Sequence, residues 1–356
     1  MIQKLKPILR QYKIDTRIRI AEQIGSGHIH QTYQIITEEE NHAGYILQKF
    51  NDNVFPDIDK VMENILQVTR HLRKNSKHGK TYRVTEPVVA KSGSAYYTGP
   101  DGSHWRLYHR ITPGISFDTV PNESAAYEAG KIYGSFIAGL DDFPANLHEI
   151  IPGFHSLELR YNQLMSAIEA DPAGRVSVVE SEIRFAKNHN DAMREIPELQ
   201  ENEILPKRII HNDTKLNNVL FDGQNHAVAV VDLDTVMPGL SLYDFGDLVR
   251  SAANTGKEDG ESVKFSLPLF SAIAKGFLEE TNELLTPEEI TLLPLAPQYM
   301  TYLMGIRFLA DYISGDIYYN ISHPEQNLER CRAQFRLMES MMEAYHKAEA
   351  VITGLR

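Results

Sequence analysis

The chain has 356 residues, 42% of them hydrophobic and 24% charged, an ordinary folding composition in a length that favours two lobes. With 36 basic against 48 acidic residues and a formal charge of -12, it lacks the basic footprint of a phosphate-backbone binder, which excludes nucleic acid as a partner. The single cysteine, Cys331, can form neither an internal disulfide nor a cysteine-based metal site, so a reducing compartment and a packing role are expected for it.

Residues 1–15 carry scattered lysines and arginines with no apolar core of the kind a secretory signal needs. No apolar run reaches the roughly eighteen residues of a membrane span, and a cytoplasmic protein is the expectation. From 17 to 111 the pattern is mainly strand. Short runs rich in β-branched and aromatic residues at 17–24, 32–37 and 45–50 are separated by Gly25-Ser26-Gly27 and by Asn41-His42-Ala43-Gly44, and a hairpin is expected over 95–111 with its turn at 99–102. Between them Pro56-Asp57 opens one helix, in which Ile58, Val61, Met62, Ile65, Leu66, Thr69 and Leu72 share a face.

Beyond Pro121 the helical period takes over, with helices expected at 122–139, 156–171, 177–194, 262–280, 286–293, 296–314 and 325–351. The fifth is opened by Thr286-Pro287-Glu288-Glu289, with cap, proline and acids where a first turn wants them. One β interruption lies in this half: Ile209-Ile210, then 219–221, a turn at 222–225, and 227–231. The expected fold is therefore α+β and bilobal, a small antiparallel-sheet lobe over 1–111 and a larger, mainly helical lobe over 112–356.

The interruption separates two groups of carboxylates and amides. The first, 211–218, places Asp213 five positions before Asn218, the spacing of a phosphotransferase catalytic loop in which the acid orients the attacking hydroxyl and the amide oxygen binds magnesium. The second, after the hairpin, is Val231-Asp232-Leu233-Asp234-Thr235. A hard cation bridging nucleotide phosphates wants one or two protein oxygens, and a tight hairpin returns the chain so that Asp213, Asn218 and Asp232 can point into one volume. A lone acid and amide in a loop is usually turn chemistry; the four features together and in order argue for ATP and Mg2+. Asp234 is expected as a second metal ligand or as an acceptor behind the first. Asp244-Phe245-Gly246 spells the kinase metal tripeptide but lies 31 residues beyond Asp213, so it is read as bracing the loop and capping the next helix.

Gly25 and Gly27 lie between two expected strands, where backbone amides could cover phosphates, with His28 and His30 beside them. A strand-borne cation should hold the α- and β-phosphates; Gln48 occupies that place and Lys49 adjoins it, and alternation lets only one of the two face the nucleotide. Glu63, the natural helix partner for such a cation, is expected to be merely exposed.

The stretches 25–33, 45–48, 211–218, 231–239, 243–247 and 305–312 resemble the N-acetylhexosamine 1-kinases, within the aminoglycoside-phosphotransferase-like branch of the protein-kinase fold, over nearly the whole chain. The resemblance implies transfer of the γ-phosphoryl of ATP to the anomeric hydroxyl of N-acetylglucosamine or N-acetylgalactosamine. It implies Asp213 as base, Asn218 and Asp232 as magnesium ligands, and sugar contacts at Arg307, Tyr318 and His28. Arg307 could instead pair with Asp311 one helical turn on. The same fold with another acceptor (an aminoglycoside, choline, homoserine) is the nearest alternative, and a non-catalytic nucleotide-binding protein a further one. The expected partners are sugar and ATP only, with a monomer favoured.

Overall fold

The computed structural model describes residues 2–14, 17–24, 29–39, 43–74, 77–144, 146–256 and 263–356. Its first element, α1 (Ile2–Leu9), is not anticipated by the sequence pattern, because Pro7 sits within a helix of only 8 residues. The helix forms because Leu5 and Leu9 bury one face against the sheet that follows.

That sheet contains β1 (Ile18–Gln23), β2 (Gln31–Thr37) and β3 (Tyr45–Lys49). After them come α2 (Ile58–Lys74), α3 (His78–Thr81), β4 (Arg83–Val84), β5 (Tyr97–Thr98) and β6 (His104–His109). The antiparallel order is β1-β2-β3-β6-β5. Alternation sorts its side chains: Ile35, Tyr45, Leu47, Trp105 and Leu107 join Leu5, Leu9, Tyr12, Val88 and Ala90 in a small core, and Tyr12 donates to the Trp105 carbonyl at 2.5 Å. Gln48 and Arg106, register partners on β3 and β6, occupy the other face.

α2 forms where the apolar spacing puts it, yet its buried face belongs to the larger core of the molecule. Ile58, Val61, Met62, Ile65, Val68 and Leu72 pack with the helical half, and Asn64 donates to the main-chain oxygens of His148 and Val236 at 2.8 and 3.0 Å. β4 likewise pairs in parallel with a strand of the helical half.

That half runs α4 (Glu123–Ala138), α5 (Leu157–Ala170), α6 (Glu180–His189), α7 (Glu195–Glu201), β7 (Arg208–Ile210), β8 (Val219–Phe221), β9 (Ala227–Val230) and β10 (Met237–Gly239). It continues with α8 (Ser241–Ala252), α9 (Leu267–Thr281), α10 (Pro287–Leu292), α11 (Ala296–Ile313), α12 (Gln326–Glu343) and α13 (Tyr345–Gly354). Asn122, Ser156 and Ser266 cap their helices, and Thr286 with Glu289 closes a capping box. α9 starts later than the expected 262 because Ser266 caps it and Pro268 is tolerated only in a first turn. The expected helix over 325–351 is two, meeting at Ala344. Only Glu180–His189 of the expected 177–194 is α-helical, flanked by short 3-10 turns.

α4 and α9 cross with backbones almost touching. A Cβ on Gly130 would lie 2.1 Å from the Ile273 oxygen, and one on Gly276 2.1 Å from the Tyr127 oxygen. No helix among the described residues is long and apolar enough to cross a membrane.

Candidate active site

β7 delivers the chain into the loop 211–218, and the loop is held from beneath. The N–H groups of His211 and Asn212 donate to the Asp244 carboxylate at 2.8 and 2.7 Å, and the Thr214 hydroxyl donates to the Asp244 carbonyl at 2.5 Å. Asp244 thus braces the loop, as its sequence position suggested, but from within the first turn of α8, which begins at Ser241. Burial pushes its carboxyl up to about 7, against the pull of those two N–H groups. Asn212 adopts φ +66°, a left-handed conformation that asparagine tolerates, and its amide donates to the carbonyls of Thr235 and Met237 at 3.1 and 3.2 Å. β10 was missed because Pro238 and Gly239 argue against a strand; it survives as half of a two-stranded ribbon with β7.

His211 Nδ1 accepts the Asp213 N–H at 3.2 Å, which leaves Nε2 to donate to the Val231 carbonyl at 3.0 Å. Burial lowers the pKa of the imidazole, in keeping with that neutral form. Asn218 donates to the Asp213 main-chain oxygen at 2.8 Å and to its carboxylate at 3.3 Å, while Lys215 Nζ stands 3.0 Å from the same carboxylate. Burial works against ionising Asp213, but the Lys215 ammonium outweighs it and holds the carboxyl below its usual range.

β8 and β9 then fold back, and the Val231 N–H donates to the Asn218 carbonyl at 2.9 Å, which sets Asp232 beside the loop. Asp232 has φ +64°, and its carboxylate accepts no hydrogen bond from any described residue. Burial, then Asp234 and Asp213, push its pKa up. An uncompensated carboxylate beside an amide whose nitrogen is already engaged leaves two hard oxygen donors, a set that fits magnesium.

Asp234 is placed differently. Arg106 Nη1 and Nη2 grip it at 2.5 and 2.8 Å, and His30 Nε2 meets the second oxygen at 2.5 Å. Burial opposes its ionisation, yet Arg106 and His30 keep its carboxyl far below the usual range. Sequence reasoning missed Arg106, having sought the cation on β3 alone; the available signal was an arginine alternating out of the Trp105/Leu107 face directly opposite Gln48. Gln48 accepts from Arg106 Nε at 2.9 Å and donates to Thr32 at 3.3 Å. Lys49 lies on the other face, 5.9 Å from the Trp105 ring centroid. Gly25, Gly27 and His28 lie outside the described residues. Glu63 is exposed and meets His148 at 2.9 Å.

Arg307 does not pair with Asp311. The Asp311 carboxylate accepts the N–H groups of Ile317, Tyr318 and Tyr319 at 3.0, 2.8 and 2.9 Å and the Asn327 amide at 2.9 Å, shaping the turn that carries Tyr318. Arg307 instead lies over the rings of Phe154 and Tyr319, at 5.5 and 5.7 Å, and Tyr318 sits edge-on to Tyr319, 58% exposed. The adjoining His155 donates to the Asn212 carbonyl at 3.0 Å, and Arg307 adds to the burial that holds its pKa at about 4. Arg160 joins this corner, donating to the Phe154 carbonyl at 2.9 Å, its pKa lowered by burial and then by Arg307. Two guanidinium groups and three aromatic rings therefore form one corner, tied to the loop that carries Asp213 through His155.

An antiparallel sheet ahead of a helical half, with this loop-hairpin-acid arrangement between, is the fold of the kinase-like phosphotransferases. The chain belongs to the phosphotransferase enzyme family, whose model matches residues 20–264. Among solved structures it is similar to a microcompartment-associated aminopropanol kinase, at 17% identity and a TM-score of 0.67, covering 100% of this chain and 99% of that one. A spectinomycin phosphotransferase in complex with ADP and spectinomycin matches at 16% identity and 0.59, covering 97% of each. The choline kinase from Cryptosporidium parvum Iowa II matches at 12% and 0.58, covering 95% and 92%. At such identities the likeness is one of fold.

Proposed function

We propose that this phosphotransferase moves the γ-phosphoryl of ATP to the anomeric hydroxyl of an N-acetylhexosamine, N-acetylglucosamine or N-acetylgalactosamine, giving the sugar 1-phosphate. Residues 1–111 serve as the nucleotide-binding lobe and 112–356 as the catalytic and acceptor-binding lobe, in a cytoplasmic monomer. The similar structure with ADP bound supports the choice of nucleotide.

Asp213 accepts the hydrogen bond of the acceptor hydroxyl and aligns its lone pair with the phosphorus, its ionised state maintained by Lys215 at 3.0 Å. A hemiacetal hydroxyl is more acidic than a plain alcohol and phosphoryl transfer is loose, so the proton can pass to Asp213 late and a strong base is not required. The Asn218 amide oxygen and the Asp232 carboxylate hold magnesium, which neutralises charge on the phosphates when bound.

The single observation that carries the acceptor class is Arg307, half-buried over Phe154 and Tyr319 with no carboxylate against it among the described residues. Beside Arg160 it makes a corner that repels ammonium groups and suits hydroxyl and amide oxygens. That favours a neutral sugar over choline, an aminopropanol or an aminoglycoside. ADP release measured over a panel of amino sugars, aminoglycosides, choline and homoserine tests the class, and phosphorus NMR of the product tests the position. Turnover with choline and none with N-acetylhexosamines would refute the proposal.

A further inference from the structure

The unassigned feature with the most geometry behind it is the cluster of Arg106, Asp234 and His30. The three residues are 1%, 3% and 7% exposed and come from three separate segments. Arg106 stands on β6, His30 immediately precedes β2, and Asp234 follows Asp232 by two residues. A buried arginine is tolerated only when its charge is met and its donors are used. Here Nε goes to Gln48 and both Nη atoms to Asp234 in a two-point grip. His30 is fixed from behind: Nδ1 accepts the Asn51 N–H at 3.1 Å, so the Nε2 proton points at Asp234, and the ring lies on Phe50 and Phe55 at 5.1 and 5.7 Å.

Resting on the kinase reading above, we propose that Asp234 is a positioning residue and not a magnesium ligand. With Arg106 and His30 it forms a latch that ties the turn carrying Asp232 to the nucleotide-covering sheet. Both oxygens of Asp234 are already in short charge-assisted contacts, while Asp232, two residues earlier, accepts none from the described residues. The latch also accounts for the uncharged Gln48. The positive charge at that place on the sheet comes from the neighbouring strand, and Gln48 serves as the acceptor that orients it.

The test is ADP binding by calorimetry to the full chain, with magnesium and with EDTA, for wild type, Asp234→Asn, Arg106→Met, Arg106→Lys and the double variant Arg106→Met/Asp234→Asn. The latch requires Asp234→Asn and Arg106→Met each to weaken ADP about tenfold, the loss expected from one charge-assisted bond, in both conditions. The double variant should be no weaker than either single one, since both remove the same interaction. Lysine cannot reproduce a two-point grip, so Arg106→Lys should not restore binding. In turnover, KM for ATP should rise with KM for the acceptor unchanged. Should the single variants fail to fold, the double variant, which buries no lone charge, carries the test, and wild-type ADP affinity in it overturns the latch. Loss confined to the magnesium arm in Asp234→Asn, with Arg106→Met unaffected and the two effects additive, makes Asp234 a metal ligand and overturns it too. A wild type that binds no ADP in either condition overturns the kinase reading first and the latch with it.

Discussion

Asn218 bonds Asp213 twice, at 2.8 Å to its main-chain oxygen and at 3.3 Å to its carboxylate, so the acid and the amide of the loop are locked to each other before any ligand arrives. Such preorganisation is what an alignment-dominated reaction asks of a protein. Replacing Asp213 with Asn keeps size and most of this bonding while removing the charge. Fold and ADP affinity should persist, and turnover should fall by roughly two to four powers of ten. Calorimetry and ADP release on one preparation check this; near-normal turnover removes Asp213 from the mechanism.

Arg307→Met keeps an apolar side chain over Phe154 and Tyr319 and deletes only the charge and its donors. KM for the acceptor should rise about tenfold or more, with ADP affinity unchanged. Steady-state kinetics in each substrate separate the two, and an effect on ADP alone would place Arg307 elsewhere.

Asp311→Ala leaves three part-buried N–H groups of the 317–319 turn without their acceptor. We expect a stability loss of roughly 2–3 kcal/mol and a raised acceptor KM, because the turn carries Tyr318. Asp311→Asn, which retains one oxygen, should fall between. Thermal melting and acceptor titration report the two effects independently.

His78 is buried on α3, with Nδ1 3.1 Å from the Ser135 hydroxyl, and burial lowers its pKa from 6.5 to about 4. Its unfolded form takes a proton more readily than its folded form, so this contribution to stability is complete above pH 6.5 and drains away as pH falls toward 4. At about 1.4 kcal/mol per pH unit it amounts to roughly 3 kcal/mol. Denaturant melts across this window should be steeper in pH for wild type than for His78→Gln; parallel profiles would show that His78 does not titrate there.

Gly276→Ala sets a methyl 2.1 Å from the Tyr127 oxygen and 2.8 Å from the Lys131 nitrogen, atoms of a rigid helix that cannot step aside cheaply. A loss of at least roughly 1–3 kcal/mol is expected in chemical denaturation.

Legibility in the sequence followed how local each signal was. The hairpin with 211–218 on one side and 231–235 on the other was readable because period-two strands, turn residues and acid spacing all lie within 25 positions. The capping box at Thr286 was readable for the same reason. Arg106 was not, since its meaning depends on the β3–β6 register and on a carboxylate 128 residues away. The Arg307–Asp311 spacing suggested a helix pair that does not exist, because main-chain donors six to eight residues on from Asp311 took the carboxylate first. Helix ends slipped where Pro268 and Ala344 set boundaries that apolar periodicity does not mark.

The seating of α2 has a regulatory consequence. Protein kinases switch themselves by swinging the corresponding helix with the small lobe, making or breaking its ion pair to the strand lysine. Here the helix is bolted to the helical half through Asn64 and six apolar side chains, and the charge it would have met is answered by Asp234 instead. Control of this enzyme by helix displacement would mean tearing open its main core, so its throughput should track substrate supply and not a conformational on-off state.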